Sequence, residues 1–232
     1  MELTGTIRRR LFVLQHAQDT SGWPEGGIAY HDRVKAHLGG AIDEHLRFWW
    51  LEHAEHIPGS VIPMRTHPAP TTRLIDYAGA HEAALDAMVA WVERGITPPS
   101  STGYTFEITD KALRLPATAA DRGGIQPVGQ ATANGSDRAD IRAGKNVRLE
   151  VSAEAPVGAI VEVAWDFDGS GSWPEVRHPP EPVKSIQDSV QHVFDQPGTY
   201  FPSIRVVTHH TGDSDDRHGR VMNLARCRVV VQ

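Results

Sequence analysis

An α/β unit followed by an all-β sandwich is the fold class this sequence predicts, on three observations. Two short, nearly continuous apolar runs, Leu11-Phe12-Val13-Leu14 and Leu46-Arg47-Phe48-Trp49-Trp50-Leu51, flank a stretch of helical spacing, the pattern of parallel strands covered on both faces and joined by a crossover. A second helical stripe runs from Arg73 to Arg94. Beyond about residue 123 these give way to short alternating runs spaced by turn residues, the pattern of a sandwich. The division expected is therefore 1–122 and 123–232, each part long enough to bury a core.

Within the first part, Gly26 to Leu38 carries Ile28, His31, Val34 and Leu38 at roughly helical spacing and meets Gly39-Gly40, a plausible C-terminal cap. Strand, helix and strand make one βαβ crossover. From Arg73 the residues Leu74, Ala78, His81, Leu85, Met88 and Val92 recur at steps of four and three, which lays one apolar stripe along a helix. Thr71 or Thr72 would cap its start, and Gly95 with Pro98-Pro99 ends it. Tyr104, Phe106 and Ile108, then Asp110-Lys111, then Leu113 and Leu115 suggest a hairpin, followed by a Gly- and Ala-rich connection through Gly135.

In the second part the expected strands are Val147/Leu149/Val151, Val161/Val163/Trp165/Phe167, Tyr200/Ile204/Val206 interrupted by Pro202, and Ala225/Cys227/Val229/Val231. Cys227 falls on the apolar side of its strand, so a buried packing cysteine is expected there. Trp165 and Phe167 read as sandwich core.

Composition narrows the function. The chain has 40% hydrophobic and 22% charged residues, and no apolar run approaches the ~20 residues of a membrane helix. With 23 basic against 29 acidic residues, a net charge of -6, and no basic cluster beyond Arg8-Arg9-Arg10, nucleic acid and membrane are not expected partners. One cysteine excludes an intramolecular disulfide and any multi-cysteine zinc site. No cofactor is expected. Met1 to Gly5 lacks the order of a secretory signal, so the signal of an exported parent is expected upstream.

The chemistry gathers where the two runs end. The first leads into His16-Ala17-Gln18-Asp19 and the second into Glu52-His53-Ala54-Glu55-His56. In an open parallel sheet, functional groups collect beyond the carboxyl ends of the strands. Neighbouring strands would therefore bring Asp19 and His56 together. The acid would hold the imidazole's tautomer, and the histidine would shuttle a proton for a hydroxyl nucleophile.

The segment Leu11 to Gly40, with Asp19-Thr20-Ser21-Gly22-Trp23-Pro24 and Tyr30-His31-Asp32, together with Leu46 to Pro58 and Ala87 to Pro99, resembles the late part of α/β-hydrolases of the tannase and feruloyl-esterase type. The resemblance implies Asp19 as the acid and His56 as the general base of a triad in a carboxylic ester hydrolase. Their chain order fits the Ser, Asp, His order of that fold. His53 competes with His56, but Ala54-Glu55-His56 fits the family pattern better. No Gly-x-Ser-x-Gly elbow exists, and Ser21, Ser60, Ser170 and Ser172 sit in turn-like sequence. Alone, the chain is expected not to turn over an ester. A two-stranded fragment also has an unpaired edge, so the missing hydrolase half or a second copy of the chain is the expected partner.

Val163-Ala164-Trp165-Asp166-Phe167-Asp168-Gly169 and His192-Val193-Phe194-Asp195-Gln196-Pro197-Gly198-Thr199-Tyr200 resemble the two signatures of polycystic-kidney-disease (PKD) domains, which are Ig-like β-sandwiches. The match spans about 125–232, with an unusual order at Asp168-Gly169 and a long insert from Ser170 to Ser189. It implies an extracellular module that contacts protein or polysaccharide, and hence a secreted or periplasmic parent. A non-catalytic binding, adhesion or scaffold module is therefore the alternative function. Asp166 to Gly171 also has oxygens spaced like a calcium loop, but the twelfth position is Arg177, whose charge repels a cation. A simple turn is expected.

Overall fold

The computed structural model describes residues 4–57 and 72–232. Strand β1 (Leu11–His16) and strand β2 (Leu46–Leu51) pair in parallel from Leu11↔Leu46 to His16↔Leu51. Helix α1 (Pro24–Leu38) joins them, with proline in its first turn and positive φ at Gly39, where a side chain would be strained. A 3-10 turn (Gly39–Ala41) and one helical turn, α2 (Ile42–His45), return the chain to β2. Val34 of α1 packs with Leu46, Phe48 and Trp50.

The two strands differ in cover. Every residue of β2 is buried, as a doubly covered strand requires, whereas β1 is mostly half-buried. The expectation of two fully covered strands is corrected for β1, and the reason lies at the edges. The far edge of β2 is closed by side chains: Ser101 Oγ accepts from Phe48 N at 3.1 Å, Thr102 Oγ1 accepts from Trp50 N at 3.1 Å, and Gln126 Oε1 accepts from Glu52 N at 2.7 Å. Among the described residues no hydrogen bond reaches the far edge of β1.

Helix α3 (Ala78–Arg94) starts five residues later than its periodicity predicts. The preceding chain is tied elsewhere: Ile75 N donates to His53 O at 2.7 Å and the Tyr77 hydroxyl donates to His56 O at 2.7 Å. Thr71 lies outside the described residues, and the helix has no side-chain cap. The buried face is also corrected. Ala80, Ala84, Ala90 and Trp91 face inward, while Leu85 and Val92 of the predicted stripe are 67% and 59% exposed. Small residues win because the helix lies close to the sandwich. A Cβ on Gly79 would stand 2.0 Å from the carbonyl oxygen of Arg220. One apolar cluster then runs from Trp49, Leu51 and Ala54 through Ala80 and Ala84 to Ile125, Val221 and Leu224.

The loop before Val221 clamps this helix. His218 Nε2 lies 2.9 Å from Asp86 Oδ2, and Gly219 N donates to Glu82 Oε2 at 2.8 Å. The hydrogen bond with Asp86, reinforced by the Asp86 and Glu82 charges, raises the His218 pKa. A raised histidine pKa gives stability that is fully present below the unfolded value of about 6.5 and is lost as pH rises through the folded value. The native chain is therefore expected to outlast His218→Asn in urea at about pH 5.5 and to lose that lead by about pH 8.5. An equal gap at both pH values would contradict the clamp.

A hairpin, β3 (Thr105–Glu107) with β4 (Ala112–Arg114), and one helical turn, α4 (Ala119–Arg122), lead into the second part. The strands that follow are β5 (Val128–Ala133), β6 (Arg138–Ile141), β7 (Asn146–Glu154), β8 (Ala159–Asp166), β9 (Glu175–Arg177), β10 (Ser185–Val193), β11 (Gly198–Tyr200), β12 (Ser203–His209), β13 (Val221–Arg226) and β14 (Arg228–Val231). They form sheets ordered β10-β7-β5, β13-β12-β8-β9 and β11-β14-β6. Leu149, Val151, Trp165, Ile204 and Val206 fill the space between them, so the second part is a β-sandwich.

Two strand expectations are corrected here. The supposed connection through Gly135 contains β5, hydrogen-bonded to β7. The last run is two strands, because the chain passes from one sheet to another at Cys227, whose amide bonds Pro202 O at 3.2 Å. Cys227 is buried, and burial pushes its thiol up to about 11. Among the described residues no helix is long and apolar enough to cross a membrane.

Candidate functional site

Parallel pairing continues past the strand ends, with Ala17 N on Leu51 O at 2.9 Å and Gln18 N on Ala54 O at 3.1 Å. Both loops therefore leave the sheet at the same end. Asp19 and His56 meet there, with His56 Nδ1 3.0 Å from Asp19 Oδ2. The other carboxylate oxygen accepts from Ser21 N at 2.8 Å and Gly22 N at 2.6 Å. The Asp19 side chain is 8% exposed and that of His56 56%. Burial by itself would raise the Asp19 pKa, but the hydrogen bonds from Gly22, His56 and Ser21 outweigh it and hold the carboxyl below its ordinary value.

An ionised Asp19 can only accept, so His56 must donate from Nδ1, which leaves Nε2 as the basic nitrogen. His56 itself is braced from behind by the Tyr77 hydroxyl on its carbonyl. A cleft of about 430 Å³ opens on the pair, walled by His16, Trp23, Tyr77 and His81. The rings of His16 and Tyr77 lie 4.1 Å apart, and burial lowers the His16 pKa, so that imidazole is neutral at pH 7. Sequence reasoning missed His16, Tyr77 and His81 as cleft residues. The position of His16 just past an apolar run was the one available signal.

His53 is held elsewhere, at positive φ and with Nδ1 2.8 Å from Asn223 Oδ1 of the sandwich. Among the described residues no serine is hydrogen-bonded to His56. Ser21 lends its amide to Asp19, while Ser170 and Ser172 lie in the turn after β8. Ser60 is outside the described residues.

In that turn the Asp166 carboxylate accepts from the amides of Gly169 at 3.0 Å, Ser170 at 3.3 Å and Gly171 at 2.7 Å. Its lone pairs are committed to the backbone, and Arg177 reaches Asp188 and Glu175 instead. Among the described residues no group of three or more His, Cys, Asp or Glu side chains is placed to hold a metal ion.

No known family profile matches the chain, and no curated protein matches it. Among solved structures, the chain is similar to the CARDB domain of a Pyrococcus furiosus protein crystallised with di-metal ions, at TM-score 0.34 and 13% identity, over 46% of this chain and 93% of that one. It is also similar to the PKD domain of an M14-like peptidase from a Thermoplasmatales archaeon, at TM-score 0.33 and 11% identity, over 47% and 98%. The sandwich assignment rests on the strand pairings themselves.

Proposed function

We propose that residues 123–232 are a non-catalytic binding module of PKD-like type, and that residues 1–122 carry the acid and base of a serine-type carboxylic ester hydrolase whose nucleophile another segment or polypeptide supplies. The observation that carries the second half is the contact between His56 Nδ1 and Asp19 Oδ2 at 3.0 Å, at the carboxyl ends of two adjacent parallel strands. Asp19 fixes the ring, and His56 Nε2 takes the proton of a hydroxyl and returns it to the leaving alcohol. The far edge of β1, which no described residue hydrogen-bonds, supports the need for a partner, because an uncharged strand edge is a template for pairing.

A p-nitrophenyl ester assay separates the parts of this reading. The chain alone is expected to give no turnover above buffer, and a polypeptide that places a Gly-x-Ser-x-Gly segment ahead of it is expected to give turnover. Robust activity from the chain alone would overturn the missing nucleophile. No activity in the longer form would leave only the second reading, an adhesion or scaffold module, which the extent of the sandwich favours.

A further inference from the structure

At the opposite end of β2 from Asp19 and His56, a cleft of about 770 Å³ is lined by Arg8, Arg9, Arg10, Arg47, His45 and Trp91. Four guanidinium groups thus face two carboxylates, those of Asp43 and Glu44, on a chain whose net charge is -6. Like charges gathered this way repel unless an anion joins them. Two of them are held by one indole: the guanidinium carbons of Arg10 and Arg47 lie 4.8 Å and 5.1 Å from the Trp91 ring centre. Arg10 also donates to the Trp91 carbonyl. Trp91 is buried in the last turns of α3, so these two cations are positioned by the fold.

Arg47 is the unusual member. It is 4% exposed, yet its one carboxylate neighbour among the described residues, Asp43 Oδ1, lies 3.6 Å away on a side chain that is 74% exposed. Its Nη1 donates to the carbonyls of Asp43 at 2.5 Å and Leu46 at 3.1 Å, and its Nε reaches Pro98 O at 3.5 Å. Nη2 makes no hydrogen bond to any described residue. A largely buried guanidinium whose carboxylate partner is screened by solvent is poorly compensated, and burial draws the Arg47 pKa down. The Nδ1 atom of His45, in the same lining, is buried and has no partner. Arg8 and Arg9 form no ion pair among the described residues.

We propose that this cleft binds a phosphate group. A carboxylate has two oxygens and is satisfied by one guanidinium fork, whereas a phosphate presents three and can take paired N–H donors from several arginines at once. Arg47 supplies the fixed inner donor, and Arg8, Arg9 and Arg10 close over the anion from the N-terminal segment. The site does not depend on the hydrolase reading, since it shares no residue with the Asp19–His56 pair.

Isothermal titration at constant ionic strength tests it, with inorganic phosphate, phenyl phosphate and sodium acetate as separate titrants. Phosphate is expected to bind with Kd of about 1 mM or tighter, acetate not measurably, and Arg8→Ala/Arg9→Ala is expected to weaken phosphate at least about tenfold. The two exposed positions leave the fold intact, so a loss there reads binding. Arg47→Lys, which keeps charge and removes the fork, should weaken it further. Binding of both phosphates assigns the site to free phosphate. Binding of phenyl phosphate alone assigns it to a phosphate ester. Acetate binding as well as phosphate, no heat from either phosphate, or an unchanged affinity in the double variant would overturn the proposal.

Discussion

His56→Ala, placed in a polypeptide that joins this chain to a nucleophile-bearing segment, is expected to lower kcat for ester hydrolysis by about 10⁴-fold while leaving KM within a few fold, because proton transfer is a transition-state interaction. Asp19→Asn is expected to cost nearly as much, for a different reason. Asparagine can turn its amide N–H toward His56 Nδ1, which makes Nδ1 the acceptor and moves the ring proton to Nε2. The nitrogen facing substrate would then carry a hydrogen instead of a lone pair. Asparagine still presents an oxygen to the amides of Ser21 and Gly22, so the loop survives and the loss is chemical. His53→Ala is the internal control, since that ring bonds Asn223 and does not face the cleft. Equal losses at His53 and His56 would refute the assignment, as would an Asp19→Asn variant of native rate.

Glu52→Ala is expected to destabilise the chain by about 3 kcal/mol, the largest stability effect at any polar residue described above. Glu52 directly follows β2, and its Oε2 pairs with Arg122 and accepts from Asn223 Nδ2 at 3.1 Å. The Arg122 side chain is only 7% exposed, and its Nε donates to Pro116 O at 2.6 Å. Removing the carboxylate leaves that guanidinium buried without a counter-charge. Asn223 also donates to Pro127 O at 2.8 Å, so the network ties the end of β2 to the sandwich. Urea unfolding followed by tryptophan fluorescence should show a lower midpoint with an unchanged slope. Glu52→Leu combined with Arg122→Met should recover most of the loss, because a buried ion pair is replaceable by well-packed apolar groups but not by half of itself. A Glu52→Ala cost within about 0.5 kcal/mol, the range of an ordinary surface change, would show that Arg122 finds compensation elsewhere.

What a linear reading could reach follows the range of the forces involved. The apolar runs at Leu11 and Leu46, the spacing of α1 and the alternation of β7 are local patterns, and the structure places strands and a helix there. The meeting of Asp19 with His56 needed one further step, that sequential strands lie side by side, since the residues are 37 apart in the chain. The strands of the sandwich were legible where turn residues punctuate them. β5 was not, because Val128-Gly129-Gln130-Ala131-Thr132-Ala133 is built from small and polar residues whose strand character comes from pairing with β7.

Sequence by itself determined the strand, helix, strand, helix order of the first part, the uncharged character of β1 and the acid and histidine that follow the two strands. Tertiary structure alone decided which face of α3 is buried, where the last strand breaks, and how the edge of β2 is closed by Ser101, Thr102 and Gln126. It also decided that Arg8, Arg9, Arg10 and Arg47 share one cleft. Periodicity reports that a stripe of side chains can be buried, but the covering surface belongs to a distant segment. For α3 that surface, the loop around Arg220, approaches Gly79 so closely that not even the Cβ of an alanine would fit there.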